Sequence, residues 1–221
     1  MIFPNWAKNI VFLLVLMMSG LVLVLIIDGL INGTDLLPLN NIIEQAVTRM
    51  RTPFVTNFII FITRLGDPFV LSFAAGLIAI ILFIRGRRYD AVLFVVSVVI
   101  SIVALAVLKN TLQIARPSYD IIGASGWSFP SGHATITTTF FFMLVHSFFG
   151  RMKTLGGRLI LIFGSLIAAI LIWFSRLYLG AHWALDVLGG IALGLMSVSA
   201  TVILFSALVE GRRSLKNRIN S

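Results

Sequence analysis

Six long apolar runs divide the chain. They cover Ile10 to Ile27, Pro68 to Ile84, Ala91 to Leu108, Ala134 to Phe149, Leu159 to Phe174 and Trp183 to Val209. They are continuously apolar and do not alternate with polar residues, so they predict helices rather than strands. A helix needs about 20 residues to cross a ~30 Å hydrocarbon core. The fourth and fifth runs reach that length only with their flanks counted. The pattern predicts an all-α, polytopic membrane protein with six transmembrane helices. There is no internal repeat, low-complexity tract or flexible linker, so residues 1–221 are expected to form a single membrane-embedded domain.

The longest connection, about 28–67, lies between the first two runs. In it Ile42, Ile43, Ala46, Val47 and Met50 recur at helical spacing, with Glu44, Gln45, Arg49 and Arg51 between them. This predicts an amphipathic helix on the membrane surface. The apolar stretch Phe54 to Ile62 is too short to span and is expected at the interface. Lys8 before the first run resembles the start of a secretory signal. Asp28-Gly29-Leu30 follows the run where a small-x-small cleavage site would stand, so an uncleaved anchor is expected.

Composition agrees with the pattern. Apolar residues make up 59% and charged residues 11%, against about 45–50% and about 25% in soluble domains. This excludes a disordered chain, a polar-surfaced solenoid and an ordinary cytosolic enzyme. The absence of Cys excludes thiolate zinc sites, iron–sulfur clusters, a catalytic thiol and disulfides.

The net charge of +9 would suggest nucleic acid in a soluble protein. Here it sorts by side. Eleven basic residues fall with the termini: Lys8, Arg85, Arg87, Arg88, Arg151, Lys153, Arg158, Arg212, Arg213, Lys216 and Arg218. Six fall on the other side: Arg49, Arg51, Arg64, Lys109, Arg116 and Arg176. The bias predicts cytoplasmic termini in the plasma membrane, with 28–67 as the first outside loop. No nucleic-acid partner is expected. The tail could touch anionic head groups.

Candidate chemistry lies at the outside ends of the last four spans, within residues 109–186. Lys109 and Arg116 are seven residues apart, two turns of a helix, and so can share a face. Arg offers a fork that matches phosphate oxygens, and Lys a point charge. Pro130-Ser131-Gly132-His133 opens the fourth span; a helix start presents free N–H groups to an anion, and Ser131 can cap it. His182 and Asp186 are four apart, so they are expected to stack on one helical face, where a carboxylate would fix the imidazole tautomer. Arg176 stands just before them.

Other chemistry fits less well. Two histidines and an aspartate could hold zinc, but three cations would repel it, so no metal or other cofactor is expected. Ser131 in a Ser-His-Asp triad would leave the cations without work. His146 is expected to be a packed side chain, and Gly190-x3-Gly194 a close helix contact. Trp6, Trp127, Trp173, Tyr178 and Trp183 are placed as interfacial aromatics.

The segments Lys109-x6-Arg116-Pro117, Pro130-Ser131-Gly132-His133 and Ser175-Arg176-x5-His182-x3-Asp186 resemble the type 2 phosphatidic acid phosphatase superfamily, the lipid phosphate phosphatases. Every specified position of that three-part pattern is matched in order and spacing. The resemblance implies a metal-independent phosphatase with a phosphohistidine intermediate. By position, His182 would attack phosphorus, Asp186 would orient it, and His133 would serve as acid and then base. Lys109, Arg116, Ser131, Gly132 and Arg176 would bind the phosphate.

The superfamily also contains soluble vanadate haloperoxidases, which six spans argue against, and lipid phosphotransferases, which the motifs do not separate. The expected substrate is a lipid phosphate or diphosphate reached from the bilayer at the extracytoplasmic face. Undecaprenyl diphosphate is preferred because the site faces outward; phosphatidylglycerophosphate and phosphatidic acid are alternatives. The first outside loop would be a structural collar or a gate for that lipid. An anion channel or transporter with a cation-lined pore, and a non-catalytic lipid-binding scaffold, are the alternatives of other classes. The sequence does not fix an oligomeric state.

Overall fold

Helix boundaries follow local capping chemistry. The computed structural model describes residues 5–32 and 37–219, with side chains for 7–32 and 40–209. Its helices are α1 (Asn5–Ile31), α2 (Leu37–Arg49), α3 (Pro53–Leu65), α4 (Pro68–Ile84), α5 (Arg88–Leu112), α6 (Gly132–Phe148), α7 (Leu155–Tyr178) and α8 (Ala184–Ile219). Thr52 caps α3, accepting from Val55 N–H at 3.3 Å, and Pro53 fills the first position. Asp67 and Pro68 repeat the device on α4, with Phe69 N–H at 2.8 Å. Ser131 caps α6 and Thr154 caps α7. Each cap satisfies a donor that the helix itself leaves unpaired.

All six expected spans coincide with helices: α1 and α4 through α8. Four of these are long and apolar enough to cross a membrane by themselves, namely Ala7–Ile31, Arg88–Leu112, Leu155–Tyr178 and Ala184–Val209. The other two, α4 and α6, have 17 residues each, roughly 25 Å at 1.5 Å per residue. The stretch Phe54 to Ile62 lies within α3. That helix meets α4 at a 44° bend, so the two together read as a broken span or a re-entrant hairpin. The amphipathic helix expected around Ile42 to Arg51 is α2.

The bundle is built around α8, which packs on α1, α6 and α5, while α6 also touches α4 and α7. Phe94, Leu93, Leu82, Ile136, Met143, Val198 and Val202 form the main core. Leu23, Ile26, Phe129, Ala192 and Leu193 form a second cluster, nearer the start of α8. Large apolar side chains also cover the outside: Met17 is 63% exposed, Phe69 79% and Ile160 75%. A continuous apolar exterior of this kind suits lipid, not water. In contrast, α6 buries Thr135, Thr137, Thr138 and Thr139. Its polarity faces inward, which is why it reads weakly as a span.

Two glycines set the distance between α6 and α8. A Cβ on Gly190 would meet Ser131 O at 2.7 Å, and one on Gly194 would meet Thr135 O at 2.7 Å. Small residues allow this backbone approach. It places the first turn of α6 directly against the first turn of α8, and Ser131 N–H donates to Asp186 O at 2.9 Å. His146 packs edge-on against Phe12, with 5.4 Å between ring centroids.

Candidate active site

The site grows from the start of α8. Trp183 takes the capping position: its carbonyl accepts from Asp186 N–H at 3.1 Å, and its own N–H donates to Asp186 Oδ2 at 2.8 Å. The carboxylate supplies the side-chain half of a capping box, with the Trp183 carbonyl standing where a cap side chain would accept. This turns the carboxylate back toward His182, whose Nδ1 lies 3.3 Å from Oδ2. His182 therefore precedes α8 rather than sharing its face. The spacing of four brings the pair together through the cap instead of through a helical turn.

His182 and Asp186 are almost fully buried, at 2% and 1% exposure. Burial pushes the His182 imidazole down to about 4, against the upward pull of the hydrogen bond and charge of Asp186. Arg176 and Arg116 push it further down. The ring is thus neutral at pH 7. With Nδ1–H donating to Asp186, Nε2 carries the lone pair and faces the Arg116 guanidinium. Arg116 Nη1 stands 3.3 Å from that nitrogen.

The cations reach the site by different routes. The geometry expected for Lys109 and Arg116, two turns along one helix, does not occur. α5 stops at Leu112, and Gln113 turns left-handed at φ 50°. Arg116 then lies in the following loop, held by Gly126 O at 2.9 Å, Ser125 O at 2.9 Å and Ala181 O at 2.5 Å. The two side chains converge all the same, because both bind Trp127 O, Lys109 Nζ at 2.5 Å and Arg116 Nη2 at 3.3 Å. Arg176 is 4% exposed, and its Nη1 donates to Thr63 Oγ1 at 2.7 Å. Its Nε has no partner among the described residues. Within the described residues, none of these three cations is in an ion pair.

Ser131 is buried, and its Oγ accepts from Ala134 N–H at 3.4 Å. Gly132 and His133 follow in the first turn of α6. Among the described residues, no three His, Cys, Asp or Glu side chains cluster in a way that could hold a metal ion. Of the eight residues singled out in the sequence, Lys109, Ser131, Gly132, His133, Arg176 and Asp186 stand at ends of α5, α6, α7 and α8, and Arg116 and His182 in the loops that adjoin them.

Two polar side chains that sequence reasoning missed join them. Thr63 is the hydroxyl partner of Arg176. Ser128 donates to Asp186 Oδ2 and lies 3.4 Å from His182 Nδ1. Neither belongs to a spaced motif. Thr63 follows the apolar stretch Phe54 to Ile62 and carries no signal of its own.

Comparison with known proteins agrees with this architecture. Phosphatidylglycerophosphatase B of Bacillus subtilis is 31% identical over 164 residues, covering 70% of this chain and 77% of its own. An undecaprenyl-diphosphatase of Sulfolobus acidocaldarius is 27% identical over 173 residues, covering 75% and 78%. The crystal structure of a transmembrane PAP2-type phosphatidylglycerolphosphate phosphatase from Bacillus subtilis superposes with a TM-score of 0.76 at 23% identity, over 89% of this chain and 96% of that one. The model of the PAP2 superfamily matches residues 90–210, which contain all three motifs. With the apolar helices and the site in place, this chain is an integral membrane protein that belongs to the PAP2 superfamily.

Proposed function

We propose that this PAP2 lipid phosphatase hydrolyses a lipid phosphomonoester or diphosphate at the extracytoplasmic face, through a phosphohistidine. The observation that carries the proposal is the neutral His182, with Nε2 turned toward Arg116 and Nδ1 held by Asp186. Beside it stand cations that form no ion pair among the described residues. An imidazole in this state is a nucleophile, and the cations are ready for the charge that develops on phosphoryl oxygens.

In the first step the Nε2 lone pair forms a bond to phosphorus as the bond to the leaving oxygen breaks. A proton taken up together with the anionic phosphate substrate sits on His133 and passes from it to that oxygen. Asp186 stabilises the cationic ring. In the second step His133 takes a proton from water, the hydroxide attacks phosphorus, and the N–P bond breaks to release inorganic phosphate and neutral His182. Lys109, Arg116, Arg176, Ser131 and the Gly132 amide hold the phosphoryl oxygens. No metal enters either step.

Substrate and orientation are part of the same proposal. Undecaprenyl diphosphate is preferred over phosphatidylglycerophosphate and phosphatidic acid because an outward site suits a carrier lipid released outside. Purified protein in detergent with chelator should release phosphate from at least one of the three, and the ranking of rates names the substrate. Activity that disappears on chelation would overturn the metal-free mechanism.

The orientation rests on six spans in one domain, with α4 and α6 as the short ones. It predicts that a reporter fused after Ser221 lies in the cytoplasm. A reporter on the opposite side would invert the siting.

A further inference from the structure

Ser128 takes no part in the steps above, yet it is fully buried in the middle of the site. Its N–H donates to Ile114 O at 2.7 Å, and its carbonyl lies 3.4 Å from Lys109 Nζ. The residue is therefore pinned between the loop after α5 and the start of α8. Its hydroxyl donates to Asp186 Oδ2. That one oxygen thus receives three donors: the Ser128 hydroxyl, Trp183 N–H and His182 Nδ1–H. Oδ1 has no partner among the described residues. Ser128 lies on the Nδ1 side of the imidazole, away from Nε2 and from solvent, so it is not placed to act as a nucleophile.

We propose that Ser128 is a positioning residue that fixes Asp186 Oδ2 against His182 and, by sharing the carboxylate's charge, sets how readily His182 takes a proton. The proposal rests on His182 being the nucleophile. A carboxylate that gives part of its charge to a hydroxyl holds an imidazolium less tightly. The other groups that act on His182 are Arg116 from the loop after α5, His133 from α6, Arg176 from α7 and Asp186 itself. Lys109 from α5 acts on Asp186. The arginines are fixed charges at neutral pH, so the serine hydroxyl is the adjustable neutral contact on Asp186 Oδ2.

The test is a double-mutant cycle on the full-length protein. Ser128→Ala should lower kcat about 10–100-fold, the range that loss of a supporting partner costs behind a metal-bound histidine, with little change in KM. The acid limb of kcat/KM should move to higher pH, because Asp186, relieved of one donor, holds the protonated ring more tightly. In an Asp186→Asn background the same substitution should cost less than about 3-fold, since the two act as one unit. Equal losses in both backgrounds, or an unmoved acid limb, would overturn the proposal.

If Ser128→Ala does not fold, Ser128→Cys, which keeps a weak donor, should fall between wild type and the Asp186→Asn variant. Wild-type kinetics in Ser128→Cys would equally overturn it. His182→Ala run alongside separates the two ideas: turnover surviving there removes the nucleophile, whereas a missing coupling removes only Ser128.

Discussion

His182→Ala is expected to lower phosphate release by about 10⁴–10⁶-fold, the range seen when a covalent nucleophile is removed while binding groups remain. Water would have to attack phosphorus directly, with no imidazole to form the N–P bond and with Asp186 left without its ring partner. The side chain lies in a loop between α7 and α8, and its loss leaves the α6–α8 packing untouched, so the variant should fold. Labelled phosphate from a substrate should appear on wild-type protein and not on the variant, with the acid lability and alkali stability of an N–P bond. A variant retaining more than about a hundredth of wild-type turnover would sink the covalent mechanism. The same variant decides against a channel. A pore has no need of an imidazole–carboxylate pair, so loss of turnover together with loss of protein-bound phosphate identifies an enzyme.

Arg176→Met should have the second-largest effect, and it should separate activity from stability. Arg176 is buried, and no carboxylate neutralises it within the described residues. A buried charge without a partner costs folding energy, and a hydrophobic side chain of similar volume relieves that cost. Activity should therefore fall about 10²–10³-fold, as for the loss of one donor aimed at developing charge, while the Tm of the ligand-free protein holds or rises. Inorganic phosphate should stabilise wild type against heat, because a ligand that binds only the folded state shifts the equilibrium. It should stabilise Arg176→Met less. A variant that is active but less stable would mean that Arg176 is structural.

The sequence pattern located the helices well, because apolar runs in lipid leave the backbone few alternatives. It was less reliable about how helices end. The Lys109–Arg116 spacing looked helical, but Gln113 breaks the helix between them, and the two side chains meet through the Trp127 carbonyl. The His182–Asp186 pair forms through a cap that spacing alone does not specify. The α3–α4 bend has no apolar signature, since both halves are apolar. Ser128 and Thr63 were invisible because a buried hydroxyl becomes meaningful only when its partner is known. The short apolar length of α6 was legible, but its reason, a row of inward threonines, needed the neighbouring helices.

The close approach of α6 and α8 has a consequence for movement. Ser131 and Asp186 are joined by a backbone hydrogen bond, and Gly190 and Gly194 leave no slack along the next two turns of α8. A slide or rotation of one helix against the other would drive backbone into backbone. This pair is the fixed jaw of the site. α3 is held by side chains instead: the small cluster of Ile59, Tyr178 and Leu179, the Thr56–Tyr178 hydroxyl contact at 3.0 Å, the Thr63–Arg176 bond and, just before the helix, Arg51 on Tyr178 O at 2.9 Å. A displacement of α3 from α7 would withdraw Thr63 from Arg176, so the hold on that buried cation depends on where α3 sits.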